Sequence, residues 1–358
     1  MEFLFSDHPR VGTEYKNFLN TFYSLISQAS KLNIAVGYVS SDSLMELKRI
    51  LELNENIHEL NLIIGMHYYE HFTKVQYKAA IALNDFLTSN RMGEVRLVTA
   101  FKYHGKLYSY SNDTKAFAGI IGSDNLSSIV GGGVRVYESS FLIDSDPYAT
   151  QMKNFISTLS QNATRNIAKI EINTFNATNP VLEGHESVKK LSHTEQINVM
   201  SRLSNIKFDL PVKTEPKSNL NCYHGKGREN MSTHLVIPRH WYEVELVVPI
   251  SMRRSNAYPK GTPKNQPDTE FKVFTDDGFT FHCKVNGGEE NLWNKNLRSS
   301  GDLTILGKWI KGRLENEGIL TVGDVITDYT LRAYGRNTIT MTKLKDSDDW
   351  FLDFGVRK

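Results

Sequence analysis

The hydrophobic rhythm of this 358-residue chain changes once, across residues 173–190, and that change limits the architecture more than any single motif does. Ahead of it, short apolar runs alternate with amphipathic stretches. Leu32 to Val39 is one such run, closed by Ser40-Ser41-Asp42, residue types that cap a helix N-terminus. Leu44, Leu47, Ile50 and Leu51 follow at helical spacing within 43–54. Leu60 to Met66 repeats the strand pattern, and Val75, Ala79, Ala82, Leu83 and Phe86 repeat the helical one over 73–89. Further strands are predicted at Val95–Thr99, 103–110 and 115–121, and a helix over Pro147–Ser160. This alternation predicts an α/β domain whose sheet is substantially parallel and covered on both faces.

Residues 173–190 are rich in Asn and Thr, contain Pro180 and keep neither period, so a domain boundary falls there. The stretch 191–206 is helical or irregular. From about residue 208 the runs become short and alternating or β-branched: His234–Ile237, Tyr242–Val248, Glu270–Phe274, Thr280–Lys284 and Thr338–Thr342. Asp277-Gly278 is a hairpin turn between two of them, and residues 305–315 form one helix. The second half therefore predicts a mainly β, barrel-like domain with one or two helices.

Composition narrows the class. With 40% hydrophobic and 23% charged residues, the chain has an ordinary globular composition. No run of 18 apolar residues occurs, and MEFLFSDHPR lacks the basic flank and apolar stretch of a secretory signal. Two cysteines, Cys222 and Cys283, are too few for a disulfide framework or a four-thiolate zinc site, which fits a reducing, cytoplasmic setting. Residues 1–177 hold 16 basic and 17 acidic side chains, and the remainder 26 and 23. Neither half is strongly basic, so a nucleic-acid role has to rest on local placement.

Candidate chemistry lies between residues 104 and 138. His104-Gly105-Lys106 puts an imidazole and an ammonium two residues apart, on one side of a strand. Gly105 between them lets a ligand or another chain come close. Gly122-Ser123-Asp124-Asn125 follows the next apolar strand, and Glu138 sits in the strand-like run VRVYESSFLI. Competing chemistries lack their signatures. His67 and His71 have i,i+4 spacing, but Tyr68 stands where a metalloprotease needs glutamate, so structural or surface roles suit the pair. No P-loop occurs.

Together, His104-x-Lys106 and Gly122-Ser123-x-Asn125 resemble the HKD motif of the phospholipase D superfamily in its nuclease form, and Glu138 matches the downstream acid of its endonuclease members. The aspartate usual five residues after the lysine is replaced by Ser111; Asp113, two residues on, takes no such role. The resemblance implies phosphodiester hydrolysis without metal. Lys106, Ser123 and Asn125 would hold the phosphate oxygens, with contacts that tighten as charge develops. His104 would attack, and Glu138 would hold its other ring nitrogen. One chain carries one such motif, so the leaving oxygen's proton calls for a second histidine, met by a homodimer with His104 from each copy.

The second half resembles the B3-like DNA-binding pseudobarrel of restriction enzymes. Leu220–Trp241 is similar to its first DNA-gripping arm, with His224, Lys226, Arg228, Glu229 and Asn230 in a Gly-rich loop. Asn286–Arg298 is similar to the second arm, with Asn291, Trp293, Lys295 and Arg298. LGKWIKGRL and Tyr334-Gly335-Arg336 resemble the same family's C-terminal pattern, and Arg253, Arg254, Lys260 and Lys264 lie in an acid-free stretch between the arms.

The combined resemblance implies three regions. Residues 1–177 would be an α/β phospholipase D-like nuclease and dimerisation domain, 178–207 a linker, and 208–358 a mainly β B3-like reader. It implies a prokaryotic intracellular restriction endonuclease, type II-like or ATP-dependent. Its implied sequence is GCCGC. The chemical step needs no cofactor, and a separate helicase-like subunit would use ATP and Mg2+. Two alternatives remain open on the residues alone: a phosphodiesterase acting on non-DNA substrates, and a non-catalytic DNA-binding protein.

Overall fold

The computed structural model describes residues 1–7, 11, 15–130, 136–178, 180–215, 219–263, 266–290 and 292–356. In the first half, strands β1 (Glu2–Phe5), β2 (Lys31–Val36), β3 (Glu59–Ile64), β4 (Phe72–Thr73), β5 (Gly93–Val98), β6 (Lys106–Ser111), β7 (Ala116–Gly122), β8 (Ser139–Ile143), β9 (Thr164–Asn166) and β10 (Phe175–Asn176) are interleaved with helices. The helices are α1 (Phe18–Ile26), α2 (Ser41–Leu53), α3 (His67–Glu70), α4 (Lys74–Ser89) and α5 (Asp146–Ala163). The cap expected after Val39 forms, with Ser40 and Ser43 in a reciprocal capping box on α2, and Thr73 and Gln76 make a second one on α4.

Eight of these strands join one sheet in the order β1-β8-β7-β6-β2-β3-β5-β9. Its parallel character is narrower than the alternation predicts. Only β2–β3 and β3–β5 pair in parallel, and the other neighbours are antiparallel. The reason lies in the connections. Helices α2 and α4 supply the crossovers that parallel pairs need, whereas β6 and β7 are joined by the short turn at 112–115.

The sheet's layers are α/β on both sides. Leu32, Ile34, Val36, Tyr108 and Ile120 face α1, α2 and α4 in the main core, while Ala35, Ile63, Val98 and Leu107 face Met152, Ile156 and Leu159 of α5.

The second half is built on β11 (Lys189–Lys190), β12 (Leu203–Pro211), β13 (Arg228–Glu229), β14 (Val236–Ile237), β15 (Leu246–Val247), β16 (Glu270–Thr275), β17 (Phe279–Asn286), β18 (Asn296–Ser299), β19 (Thr338–Leu344) and β20 (Trp350–Asp353). Its helices are α6 (His193–Ser201), α7 (Ile250–Arg253), α8 (Ile305–Asn316) and α9 (Asp328–Tyr334). The path β12-β19-β20-β16-β17-β18-β15 makes an open, mostly antiparallel sheet, and β11 adds to β17. Asp277-Gly278 does turn the β16–β17 hairpin, with Gly278 at φ 83°. The segment read as a linker contributes β11, α6 and the start of β12 to this domain.

The two halves share one buried apolar cluster that includes Leu44, Leu47, Tyr223, Trp241 and Val322. Polar contacts fasten α2 to the segment 220–241. Tyr223 donates its hydroxyl to Met45 O at 2.9 Å. The Asn54 amide donates to Val236 O at 2.9 Å and accepts from Val236 N at 2.7 Å, completing a strand-like pair with a side chain. Asp42 and His240 approach to 3.5 Å.

Candidate active site and nucleic-acid interface

The motif residues meet at one end of the N-terminal sheet. Lys106 opens β6 opposite Val36, the last residue of β2, so Gly37 and Tyr38 run on beside His104. His104 lies in the extended segment ahead of β6 rather than inside a strand. It still meets Lys106, because the buried lysine folds back: its Nζ is 3.0 Å from His104 Nδ1 and donates to His104 O at 2.8 Å. Burial pulls this ammonium below the usual lysine range, and the Glu138 carboxylate nearby pulls the other way. Gly105 leaves room for Tyr103: a Cβ there would lie 2.4 Å from the Tyr103 hydroxyl.

Asn125 accepts the Tyr38 N–H through Oδ1 at 3.0 Å, which fixes its amide plane. Ser123 is turned to the backbone of β8: its hydroxyl accepts from Ser139 N at 3.0 Å and donates to Ser139 O at 3.2 Å. Its donor is therefore spent on the protein here, and the pair of bonds ties the strand that follows Glu138 to the motif. Gly122 permits this, since a Cβ would lie 2.1 Å from Ser140 Oγ. Glu138 is held by its main chain to Ser6, accepting at 3.1 Å and donating at 2.9 Å. The hydrogen-bonded neighbour of His104 Nδ1 is Lys106, not Glu138.

Tyr38, Glu70 and Lys102 join the site from outside the two motif clusters. Tyr38 packs edge-on against His104, ring centroids 5.5 Å apart, and its hydroxyl donates to Glu70. Lys102 donates to the other oxygen of Glu70 at 3.2 Å. The tyrosine hydroxyl and the lysine hold the Glu70 carboxyl below the usual range. Between Ser123 and Asn125, Asp124 is buried, accepts the Ser140 hydroxyl and receives the Tyr108 hydroxyl on its carbonyl at 3.0 Å. Burial raises its carboxyl.

His67 is buried and tied into the fold by both ring nitrogens. Its Nε2 accepts from Val39 N at 3.3 Å, its Nδ1 donates to His71 O at 3.1 Å, and its ring stacks on Phe72 at 4.3 Å. Asp113 sits in the β6–β7 turn with Ser30 and His58, at the far end of β6 from the site. Among the described residues no cluster of three or more metal-ligating side chains occurs, and no helix is long and apolar enough to cross a membrane.

Two family models match the chain in tandem. The "NgoFVII restriction endonuclease N-terminal PLD domain" matches residues 16–172, and the "NgoFVII C-terminal B3-like DNA-binding domain" matches residues 198–345. The chain belongs to the NgoFVII restriction-endonuclease family. It thus joins a phospholipase D-type phosphodiesterase domain to a DNA-binding domain.

Among solved structures, the phospholipase D family member Nuc from Salmonella typhimurium is similar at 14% identity, covering 46% of this chain and 95% of Nuc, with TM-score 0.31. A phosphatidylserine synthase from Haemophilus influenzae is similar at 17% identity, covering 48% of this chain and 41% of its own, with TM-score 0.34. Comparison with curated proteins gives no match.

In this NgoFVII-family chain the expected DNA-contacting residues fall into two groups. Lys226, Arg228, Glu229, Arg254 and Lys295 are exposed. Arg228 donates to Glu243 at 2.6 Å, Glu229 meets His234 Nδ1 at 3.1 Å, and Arg298, half-buried, donates to Glu245 at 3.0 Å. Others are turned inward. Half-buried His224 packs edge-on against Tyr223 at 5.1 Å, and burial lowers its pKa. Arg253 is buried and donates to Asn294 at 3.3 Å, so it braces its own loop. Asn230 caps the β13–β14 turn, accepting from Ser232 and Thr233. Trp293 is half-buried, with φ 42°. Asn291 and Lys264 lie outside the described residues.

Arg239, which the motif reading passed over, joins the two arms. It donates to Glu243 at 2.7 Å and lies 3.7 Å from Glu245, making a chain Arg228–Glu243–Arg239–Glu245–Arg298. Burial would raise the Glu243 carboxyl, but Arg239 and Arg228 outweigh it and leave it below the usual range.

Proposed function

We propose that this chain is the sequence-specific double-stranded DNA endonuclease of a restriction system, and that it cuts through a covalent phosphohistidine on His104. The observation that carries this reading is the 3.0 Å contact of Lys106 with His104, beside an Asn125 amide that is tied through Tyr38 to the same imidazole. A phosphodiester entering here meets an ammonium, an amide donor and a neutral nucleophile, which is the set that in-line displacement requires.

The resting site is not yet poised for attack. Lys106 occupies Nδ1, which leaves the ring proton on Nε2. A phosphate oxygen that draws Lys106 away frees Nδ1 to take the proton and pair with Glu138, and Nε2 then presents a lone pair. Nε2 attacks phosphorus, the P–O bond to the leaving oxygen breaks, and His104 of a second copy protonates that oxygen. The same second histidine then takes a proton from water, the water oxygen bonds to phosphorus, and the P–N bond breaks to restore His104. No metal enters these steps. A homodimer with one composite site is the arrangement that supplies both histidines.

Base reading is assigned to the B3-like domain, with Arg228 and Arg298 as candidate guanine donors and Glu229 as a candidate acceptor from cytosine N4. GCCGC is the sequence that the family resemblance favours. A separate ATP-dependent helicase-like subunit, with ATP and Mg2+, is proposed on the same ground. The test is plasmid cleavage in excess EDTA on pre-engaged DNA, with and without candidate partner and ATP. Cutting in EDTA that vanishes in His104→Ala is expected; a strict Mg2+ need in the chemical step contradicts the mechanism.

A further inference from the structure

The two arms of the DNA-binding domain lie in different sheets. Arg228 is on the β13–β14 hairpin, which is a two-stranded sheet of its own, whereas Arg298 is on β18 in the large sheet. Among the described residues no strand ladder joins the two, so sheet pairing does not fix the spacing of these guanidinium groups. The charged chain between them does. One oxygen of Glu243 accepts from Arg228 at 2.6 Å and from Arg239 at 2.7 Å. The Glu243 side chain is 3% exposed and that of Arg228 is 60% exposed. A carboxylate so buried has to be paired, and it anchors the exposed guanidinium that reaches down to it. Glu245 makes the matching contacts at the other arm. It immediately precedes Leu246, which pairs with Leu297 beside Arg298, and it meets Arg298 at 3.0 Å and Arg239 at 3.7 Å. Arg239 therefore touches both acids.

Charge balance gives Arg239 its weight. Three guanidinium groups facing two carboxylates leave the chain itself at a net charge of +1. Without Arg239 the balance is zero, and each acid has one arm arginine as its counter-charge. Both arginines would then be drawn onto the protein and away from a ligand. With Arg239 in place each acid is partly neutralised from inside, and Arg228 and Arg298 keep N–H donors free, since a guanidinium carries five in a rigid fork. Arg239 and Arg298 each bury an Nε with no hydrogen-bond partner among the described residues. Their placement depends on the shared acids, so a shift at one acid passes to the next arginine.

We propose that Arg239 is a positioning residue for sequence reading: it couples the two arms, so that Arg228 and Arg298 engage a DNA duplex as one unit and not as two independent contacts. The proposal rests on the assignment of base reading to these two arginines and adds how they act together. Holding both guanidinium groups before DNA arrives lowers the ordering cost of binding.

The consequence is cooperative discrimination. A base pair that fails to hold one arginine lets its acid recapture it, and Arg239 carries that change to the other arm. The penalty for a wrong base under one arm then depends on the base under the other. Independent contacts would instead give penalties that multiply, as they do at well-separated positions.

The experiment is a double-mutant cycle on the full chain, read by gel shift on a random duplex and on a duplex that the wild-type chain selects from a random pool. Specificity is the ratio of the two Kd values. Arg228→Ala, Arg298→Ala and the double variant are compared with Arg239 intact and again with Arg239→Gln, and circular dichroism checks the fold of each. With Arg239 intact, the double variant should lose at least about five-fold less specificity than the product of the single losses. With Arg239→Gln the single losses should multiply to within about two-fold. Arg239→Lys keeps the charge but not the fork that spans both acids, so it should also lose the coupling. If Arg239→Gln does not fold, Arg239→Lys and the cycle with Arg239 intact decide. Single losses that multiply with Arg239 intact overturn the coupling and leave base reading by the two arginines standing. Coupling that persists in both Arg239 variants overturns the role of Arg239. Single variants that leave the ratio unchanged, or a wild-type chain that selects no sequence, overturn the base-reading assignment and the coupling with it.

Discussion

At the scale of single residues, the proposed mechanism puts the chemistry on His104 and its geometry on its neighbours. His104→Ala should reduce cleavage by at least about 1,000-fold while specific DNA affinity, read by gel shift with the full-length chain, stays within a few-fold. Wild-type cutting in that variant contradicts the assignment. In the same mechanism Tyr38 is a positioning residue. Tyr38→Phe keeps the ring against His104 and loses the Glu70 bond, so a modest fall in single-turnover rate is expected. Tyr38→Ala removes the ring and should cost a further factor of ten or more, about 1.4 kcal/mol in the barrier. Equal rates for the two variants remove the orienting role.

The motif spacing made His104, Lys106 and Asn125 legible in the sequence, though through a local conformation that is wrong in detail: His104 precedes the strand, and the lysine's reach restores the contact. Tyr38 and Glu70 were not legible, because only the antiparallel β2–β6 pairing carries residue 38 to residue 104. His224 and Arg253 misled for the opposite reason. A polar residue in a Gly-rich or basic loop looks solvent-facing until burial is known.

At the scale of elements, helix α2 and the segment 220–241 form a seam that no periodicity predicts. Individual runs were legible because each has its own period; the seam depends on which faces two separate domains leave uncovered. The seam encloses Glu46, which is buried and accepts from Tyr23 at 3.2 Å. Burial pushes its carboxyl up to about 8, so it is neutral in the folded chain at pH 7 and ionised in the unfolded one. The folded state thus holds the extra proton between the unfolded value near 4.5 and the folded value, and stability falls as pH rises through that window. Glu46→Gln should remove that part of the decline and raise stability at pH 8 by on the order of 1–3 kcal/mol, with little gain at pH 4. Thermal melts of both proteins across this range check it; a variant less stable at pH 8 contradicts the assignment.

The arm bearing Arg228 makes a second test. Arg228→Ala should cost about 1–3 kcal/mol on cognate DNA and much less on random DNA if the arginine reads a base. Equal losses on both make it a phosphate contact.

At the scale of the whole molecule, the chain joins a phosphodiesterase domain and a DNA-binding domain through a shared core, so the cutting site is held relative to the reader by α2. In the proposed mechanism one chain supplies one histidine, and double-strand cutting by a single composite site requires sequential cuts with repositioning, or a second dimer. Mixed dimers of wild-type and His104→Ala chains should be strongly impaired in single turnover, because attack and protonation fall to different copies. Mixtures that retain half the wild-type rate point to independent sites.

The measurement closest to the central claim is capture of the covalent intermediate. A single turnover on cognate DNA in excess EDTA, quenched in denaturant without acid and digested, should yield a peptide bearing a phosphoryl–nucleotide adduct on His104. The adduct should be acid-labile and should be lost in His104→Ala. Efficient cleavage with no adduct at His104, or with the adduct on another residue, contradicts the account.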